Sequence, residues 1–273
     1  MKFNQKIICL FCLLFLPAFG MTKADNGNAV AGDSSTTNSP GKKFSRGEKM
    51  TYSIEYAGIT AGYSFLRVDS ELTYVGERTS YHIVNETWST PFFSKFYPVH
   101  DRFEAFTDYE HLYSLRYQKK QREGGYRHEE SLTFDQEQNK VTYSTGQVIA
   151  TTPQARDILT SLYWARTFSL ESEKSLYIDN HTDKTNYPLE VKVHRKETIK
   201  TIFGKVECLV VEPVLRYPGL FQNKGRLWVW LTNDNRRIPV LMKSKILVGS
   251  INAVLKEYTP GIDGPNYLVT EKK

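Results

Sequence analysis

MTYSIEY, residues 50–56, is the stretch that decides the fold class. Its even-numbered positions carry methionine, tyrosine or isoleucine, and its odd-numbered positions carry threonine, serine or glutamate. Successive side chains of a β-strand point to opposite faces, so this period of two predicts a strand with one buried face and one solvated face. The same alternation can be followed outward through most of the chain.

The alternation recurs between short turns. Residues 113–118 set tyrosine and leucine against serine, arginine and glutamine, and residues 189–194 set leucine and valine against glutamate, lysine and histidine. We expect chain reversals at Glu-Gly-Gly 123–125 and at Asp-Asn-His 179–181. Strands spaced this closely pair antiparallel with their sequence neighbours. The predicted fold class is therefore mainly β, a curved antiparallel sheet forming a half-barrel or open barrel.

One segment has helical periodicity. Within Asp157–Phe168, Leu159, Leu162 and Tyr163 recur three and four positions apart, which predicts one amphipathic helix. The dipeptide Thr152-Pro153 has the residue types of a helix cap followed by proline at the first helical position. We expect this helix to lie against the concave side of the sheet.

The start of the chain differs from the rest. Residues 1–24 have a basic start, a short apolar run and a small-residue exit, which is typical of a secretory signal peptide. Residues 25–43 are rich in glycine, serine and asparagine and predict a flexible linker. A single domain over 44–260 and a tail over 261–273 complete the expected organisation. The expected location is the periplasm, and the alternative is a protein tethered to the inner membrane by an uncleaved N-terminus.

Removal of residues 1–24 changes the charge and the cysteine count. The net charge of +6 falls to +3 because this segment carries three lysines and no acid. A charge this small, spread over mixed-sign strands, is not the footprint of a nucleic-acid-binding protein, and we expect no nucleic-acid partner. Cys208 is then the only cysteine, and its apolar strand context predicts a buried structural thiol. We expect no transmembrane span in the mature chain.

Sequence motifs of catalysis are missing. None of the six histidines pairs with another at metal-ligand spacing, and His128-Glu129-Glu130 has no second histidine four residues after the first. The sequence has neither a nucleophile elbow nor a phosphate-binding glycine loop. These observations favour a protein that is not an enzyme and that uses no cofactor or metal.

The segment Trp88–Pro98 is unusually aromatic, with five aromatic residues. Its apolar area exceeds what a solvated loop needs, so two interpretations stand: a mouth over an apolar cavity, or a plug that closes the core. Strand 225–231 has apolar side chains on both faces and must be covered on both sides. The predicted ligand-binding residues are Trp88, Phe92, Phe93, Phe96, Tyr97, Leu162, Trp228 and Trp230.

Several blocks of the chain resemble a known family. They are residues 44–48 (FSRGE), 97–102 (YPVHDR), 157–163 (DILTSLY), 228–234 (WVWLTND) and 237–240 (RIPV). Together they resemble the exported bacterial family called domain of unknown function 3108 (DUF3108). The tryptophan strand and the strand after it are more remotely similar to periplasmic lipoprotein carriers with a curved half-barrel. The resemblance implies a location in the cell envelope and assigns no reaction.

The leading hypothesis is a non-catalytic cell-envelope protein that binds an apolar or amphipathic ligand. A lipid, an acyl chain or a lipoprotein would occupy a cavity of the curved sheet, where each buried methylene contributes about 0.8 kcal/mol. The alternative is a structural or interaction module with a filled core, whose partners are envelope proteins or peptidoglycan. An envelope hydrolase is the third hypothesis. The first requires an apolar cavity, and the third requires histidine and carboxylate groups that converge in a cleft.

Overall fold

The structure is a computed structural model that describes residues 44–215, 226–245 and 249–262. The predicted signal peptide, the predicted linker and most of the predicted tail lie outside the described residues. Within them, one antiparallel sheet of fifteen strands curves around an apolar core and does not close on itself. The predicted fold class, a curved and open antiparallel sheet, is confirmed.

The strands and helices follow one another in two groups. The first group is β1 (Lys49–Tyr56), β2 (Ile59–Val68), β3 (Thr73–Val75), β4 (Arg78–Ser89), α1 (Pro91–Ser94), β5 (His100–Asp108), β6 (Ser114–Glu123), β7 (Tyr126–Asp135), β8 (Lys140–Tyr143) and β9 (Val148–Ala150). The second group is α2 (Ile158–Thr167), β10 (Ser175–Thr182), β11 (Thr185–Thr201), β12 (Gly204–Leu215), β13 (Leu227–Thr232), β14 (Pro239–Lys245) and β15 (Ser250–Thr259).

Two meanders make up the sheet. Its strand order is β10-β11-β12-β13-β14-β15-β1-β2-β4-β5-β6-β7-β8-β9, and β3 pairs with β4 outside this path. The meanders join where β1 pairs with β15, in a register that sets Lys49 opposite Thr259 and Tyr56 opposite Ile251. In β1, Met50, Tyr52 and Ile54 are buried, as the alternation predicts. The inner faces of both meanders contribute to a single core.

The reversal predicted at residues 179–181 is wrong. These residues lie inside β10, and the chain turns at Asp183 and Lys184 instead. Both residues of this turn have positive φ, 46° and 65°, as a two-residue type I′ hairpin requires. Asn180 and His181 resemble turn residues in the sequence, but both are buried and hydrogen-bonded.

Helix α2 lies in the interior and packs against β5 and β10. It corresponds closely to the predicted helix, but its N-cap is Asp157 and not Thr152. The Asp157 carboxylate accepts hydrogen bonds from the backbone N–H groups of Leu159 and Thr160, both at 2.9 Å. These bonds satisfy donors that the first helical turn leaves free, and so they fix where α2 begins.

Hydroxyl groups hold the N-terminal end of α2 against the sheet. Ser114 at the start of β6 donates to Asp157 at 2.5 Å, and the Thr160 hydroxyl donates to the same carboxylate at 2.8 Å. Thr160 also lies 2.7 Å from the hydroxyl of Thr107 in β5. Burial raises the pKa of Asp157, and the hydrogen bonds from Ser114 and Thr160 act in the opposite direction.

An ion pair holds the C-terminal end of α2. The Arg166 guanidinium donates to both carboxylate oxygens of Glu48, at 2.7 and 2.9 Å, and to the carbonyl of Arg236 at 3.1 Å. The side chains of Arg166 and Glu48 are 0% and 2% exposed. Burial alone would lower the pKa of Arg166, but Glu48 raises it, so the arginine is charged. A cation in the last turn also complements the helix dipole.

We predict that Arg166→Met lowers the free energy of unfolding by about 3–5 kcal/mol, because the carboxylate of Glu48 is then buried without its partner. The measurement is urea unfolding followed by circular dichroism. The control is the double variant Glu48→Gln with Arg166→Met, which leaves no buried charge and should lose less than the sum of the two single variants. Additive losses would contradict the coupling.

The edges of the sheet meet at a seam of side chains between β8–β9 and β10–β11. The backbone N–H of Lys184 donates to the Tyr143 hydroxyl, which lies 2.8 Å from Nε2 of His181. On the other side of the ring, Nδ1 of His181 lies 2.6 Å from Oδ1 of Asn186, and the amide of Asn186 donates to the carbonyl of Ala150. Nδ1 therefore carries the imidazole proton, and Nε2 accepts from Tyr143.

Backbone groups reinforce the seam at one point. The N–H of Arg156 donates to the carbonyl of Asp179, and the N–H of His181 donates to the carbonyl of Arg156. Burial lowers the pKa of His181, while Asn186 and the charges of Glu130 and Asp183 act against this effect. The imidazole is therefore neutral at the seam at neutral pH.

We predict that His181 makes the fold less stable in acid. Its pKa is lower in the folded chain than the value of about 6.5 in the unfolded chain, so the unfolded state binds more protons. The contribution of His181 is complete above about pH 6.5 and declines as the pH falls below that value. Urea unfolding at pH 7.5 and 5.5 should show a smaller difference for His181→Gln than for the wild type. An equal difference in His181→Gln and in the wild type would contradict the prediction.

Candidate functional site

The aromatic segment forms a short helix between β4 and β5. In α1, Thr90 is the N-cap, and Pro91 occupies the first helical turn. The Thr90 hydroxyl accepts a hydrogen bond from the N–H of Phe93 at 3.4 Å. A threonine cap followed by proline was predicted at Thr152-Pro153, and the structure has this arrangement at Thr90-Pro91 instead. Helix α1 packs against β2 and β4.

Two phenylalanines of this segment face solvent. Phe92 is 63% exposed and Phe96 is 74% exposed, and their rings are in edge contact with centroids 5.5 Å apart. Phe93 is partly buried and packs against the core. Phe92 and Phe96 therefore do not close the core, because most of their surface is in water.

Exposed side chains of β2 extend this surface. Ile59 is 59% exposed and Tyr63 is 41% exposed. The N–H of Thr90 donates to the carbonyl of Ala61, between these two residues, so α1 begins beside them. We call the exposed set Ile59, Tyr63, Phe92 and Phe96 the apolar rim. Exposed apolar side chains grouped in one part of the molecule make this rim the candidate interaction site.

Trp88 lies behind the rim on β4. Its ring is 6.3 Å from that of Tyr63 and 6.1 Å from that of Phe65. The partly buried indole thus supports the exposed Tyr63 ring from the neighbouring strand.

Tyr97 fastens the segment to the hairpin between β6 and β7. Gly124 in this hairpin has φ +53°, and a Cβ at this position would lie 2.5 Å from a carbon of the Tyr97 ring. The N–H of Gly124 also donates to the carbonyl of Pro98 at 2.8 Å. The tyrosine ring can approach this closely only because position 124 has no side chain.

The other predicted site residues lie elsewhere. Leu162 is in α2, which bonds to Thr107 at one end of β5, whereas α1 precedes His100 at the other end. Helix α2 therefore does not cover the apolar rim. Trp228 and Trp230 are on β13, and β14, β15 and β1 separate them from β2. The structure brings together Trp88, Phe92, Phe93, Phe96 and Tyr97, and it does not bring Leu162, Trp228 or Trp230 to them.

Three exposed basic residues lie in the aromatic segment or in the hairpin packed against it, and none of them is among the predicted site residues. Arg122 and Arg127 lie directly opposite each other in the β6–β7 hairpin, and both are exposed. Lys95 is exposed between the two exposed phenylalanines. The sequence does contain a signal, since REGGYR sets the two arginines at matched positions around the glycine turn.

A polar groove of about 560 Å³ lies on the face of β5, β6 and β7 that carries Arg102 and Lys120. Its charges are satisfied locally, because Lys120 pairs with Glu129 at 2.9 Å and Arg102 pairs with Glu86 at 2.9 Å. The groove differs in chemistry from the apolar cavity predicted from the sequence, whose ligand would need apolar walls.

The described residues show neither a metal centre nor a reactive thiol. Those residues contain no cluster of three or more histidine, cysteine or acidic side chains suited to a metal ion. Cys208 is buried, and burial raises its pKa to about 11, which keeps the thiol protonated near neutral pH. No helix within the described ranges has the length and apolar character needed to span a membrane.

A family model described as "Protein of unknown function (DUF3108)" matches residues 51–256. The chain belongs to the DUF3108 family. The resemblance predicted from the sequence blocks is thus confirmed, and no curated protein matches the chain significantly.

Two solved structures of other families are similar to this DUF3108 chain. A β-barrel-like protein of domain of unknown function DUF1849 from Brucella abortus superimposes with a TM-score of 0.55 at 10% identity. That alignment covers 80% of this chain and 98% of the other. A DUF1089 family protein from Pseudomonas aeruginosa gives a TM-score of 0.37 at 8% identity, covering 68% of this chain and 90% of the other. At these identities, the first likeness concerns the fold alone.

We predict that Gly124→Ala loosens α1 and lowers the free energy of unfolding by about 1–3 kcal/mol, because the new methyl group meets the Tyr97 ring at a positive φ. Gly125→Ala is the matched control, since nothing lies within 4 Å of its Cβ. Thermal unfolding of the three proteins is the measurement. Equal melting temperatures for the two variants would contradict the proposed packing.

Proposed function

We propose that this DUF3108 protein is a non-catalytic protein of the cell envelope that binds an apolar or amphipathic group, such as an acyl chain, at the apolar rim. The observation that supports this proposal is the exposure of Phe92 and Phe96, at 63% and 74%. Burial of a phenylalanine side chain is worth about 1.5–3 kcal/mol, so a ligand that covers both rings gains binding energy from each.

The location rests on residues 1–24, whose basic start and short apolar run are those of an exported protein. We place the mature protein in the periplasm, and a tether at the inner membrane is the alternative. A core of buried apolar side chains with one buried thiol fits an oxidising compartment, because no second cysteine follows residue 24.

A specific observation also favours the second candidate, an interaction module without a ligand cavity. Leu159, Tyr163 and Arg166 of α2 are fully buried, so the helix fills space that a ligand would occupy at its end of the sheet. A ligand taken at the α1 end is compatible with this filling, because α1 and α2 lie at opposite ends of β5.

The test is the binding of an acyl fluorophore to the purified protein. Phe92→Ala with Phe96→Ala should weaken binding about 100-fold, the value expected for loss of two apolar contacts. The melting temperature should change little, because both rings are exposed in the free protein. Tyr74→Ala with Tyr177→Ala is the matched control, since both rings are exposed outside the rim. A wild-type protein that binds no acyl probe would leave the interaction module as the better candidate.

A further inference from the structure

We infer that the α1 end of the sheet docks onto an anionic lipid surface, with the apolar rim entering the interface and Arg122, Arg127 and Lys95 contacting the headgroup phosphates. The inference rests on the proposed function, because the apolar group that the rim binds is here the lipid of a membrane. It adds a partner of defined charge and a second set of residues.

The first supporting observation is the pair of arginines in the β6–β7 hairpin. Arg122 and Arg127 are directly opposite in the antiparallel register, an arrangement in which like charges repel. Among the described residues, neither has an acidic side chain within ion-pair distance. Glu129, two residues after Arg127, pairs with Lys120 at 2.9 Å, and its pKa is lowered first by Lys120 and only secondarily by the charge of Arg122. An anionic partner would relieve this repulsion.

The second observation is that the hairpin packs against the aromatic segment. The Tyr97 ring lies against Gly124, and the Gly124 N–H donates to the carbonyl of Pro98, so the hairpin that carries the two arginines is held at the end of that segment. Lys95 lies within the aromatic segment itself and has no ion pair in the described parts of the chain. The combination of exposed aromatic rings with exposed basic residues that form no ion pair among the described residues is that of an interfacial membrane site.

The shape of this surface favours a membrane over an acidic protein groove. Phe92 in α1 and Phe96 in the turn that follows it both have most of their side chain in water. Rings that project can enter the headgroup region of a bilayer, whereas a partner helix or peptide is usually received in a groove. Basic residues near such a surface are attracted to anionic lipids over a distance set by the ionic strength.

The first experiment measures the partition of the full chain onto vesicles. Wild-type protein should bind vesicles of phosphatidylcholine with phosphatidylglycerol at least about tenfold more strongly than vesicles of phosphatidylcholine alone, with the difference reduced by salt. Arg122→Glu with Arg127→Glu should remove about tenfold or more of this preference, and the milder Arg122→Gln with Arg127→Gln should remove part of it. Arg122 and Arg127 are both exposed, so neither double variant should change the melting temperature.

The matched control is Lys200→Glu with Lys205→Glu. These lysines also lie opposite each other in a hairpin, between β11 and β12. The double variant changes the net charge by the same amount at a site away from the rim, and it should bind the vesicles as the wild type does. An equal loss in both double variants would show that net charge alone drives binding and would overturn the inference.

A second experiment locates the contact and is independent of any other segment that binds lipid. Tryptophan introduced by Phe92→Trp should shift its emission to the blue and be quenched by brominated lipids, while Tyr74→Trp, exposed on β3, should show neither effect. Vesicle-bound protein in which Phe92→Trp is not quenched would refute the docking. If Phe92→Ala with Phe96→Ala still weakens binding of the acyl fluorophore in that case, the proposed function stands and only the membrane assignment fails.

Discussion

The buried pair of Arg166 and Glu48 is the interaction on which the arrangement of the molecule depends. A charged guanidinium inside an apolar core is costly unless acceptors meet its donors. Arg166 of α2 meets two, the carboxylate of Glu48 and the carbonyl of Arg236. The opposite end of the helix is fixed by the Asp157 carboxylate and its hydroxyl partners. With both ends specified by buried polar groups, α2 has a defined depth and rotation, and the apolar strands pack around it.

The position of α2 divides the molecule into two ends with different properties. At one end, α2, its ion pair and the tyrosines around it exclude water; the Tyr258 hydroxyl, whose pKa burial raises to about 12, donates to Glu48. At the other end, the segment around α1 leaves Phe92 and Phe96 in water, and the hairpin packed against it carries Arg122 and Arg127, which form no ion pair with any residue that the structure describes. Stability is therefore concentrated away from the surface that presents exposed apolar and cationic groups, and that surface can interact without disturbing the core.

Features encoded by local periodicity could be predicted from the sequence, and features set by long-range geometry could not. The strand pattern of residues 50–56 and the extent of α2 follow from side-chain spacing. Composition alone identifies the aromatic segment Trp88–Pro98. The separation of this segment from Leu162 depends on which end of β5 each helix meets, and no local pattern encodes that. Glu48 and Arg166 are 118 residues apart, so no local pattern reveals their pairing. The reversal expected at 179–181 failed because polar residues that satisfy a buried seam have the same composition as a turn.

The seam between the two sheet edges also bears on self-association. An open sheet normally leaves backbone N–H and C=O groups at its edges, where a second chain can add a strand. Here β9 is only three residues long, and the edge of β10 is occupied by the backbone of Arg156 and by the Tyr143–His181 contact. Each edge of the sheet thus covers part of the other. Side chains that cover the edges of this open sheet also remove part of the template on which copies of the chain would otherwise aggregate.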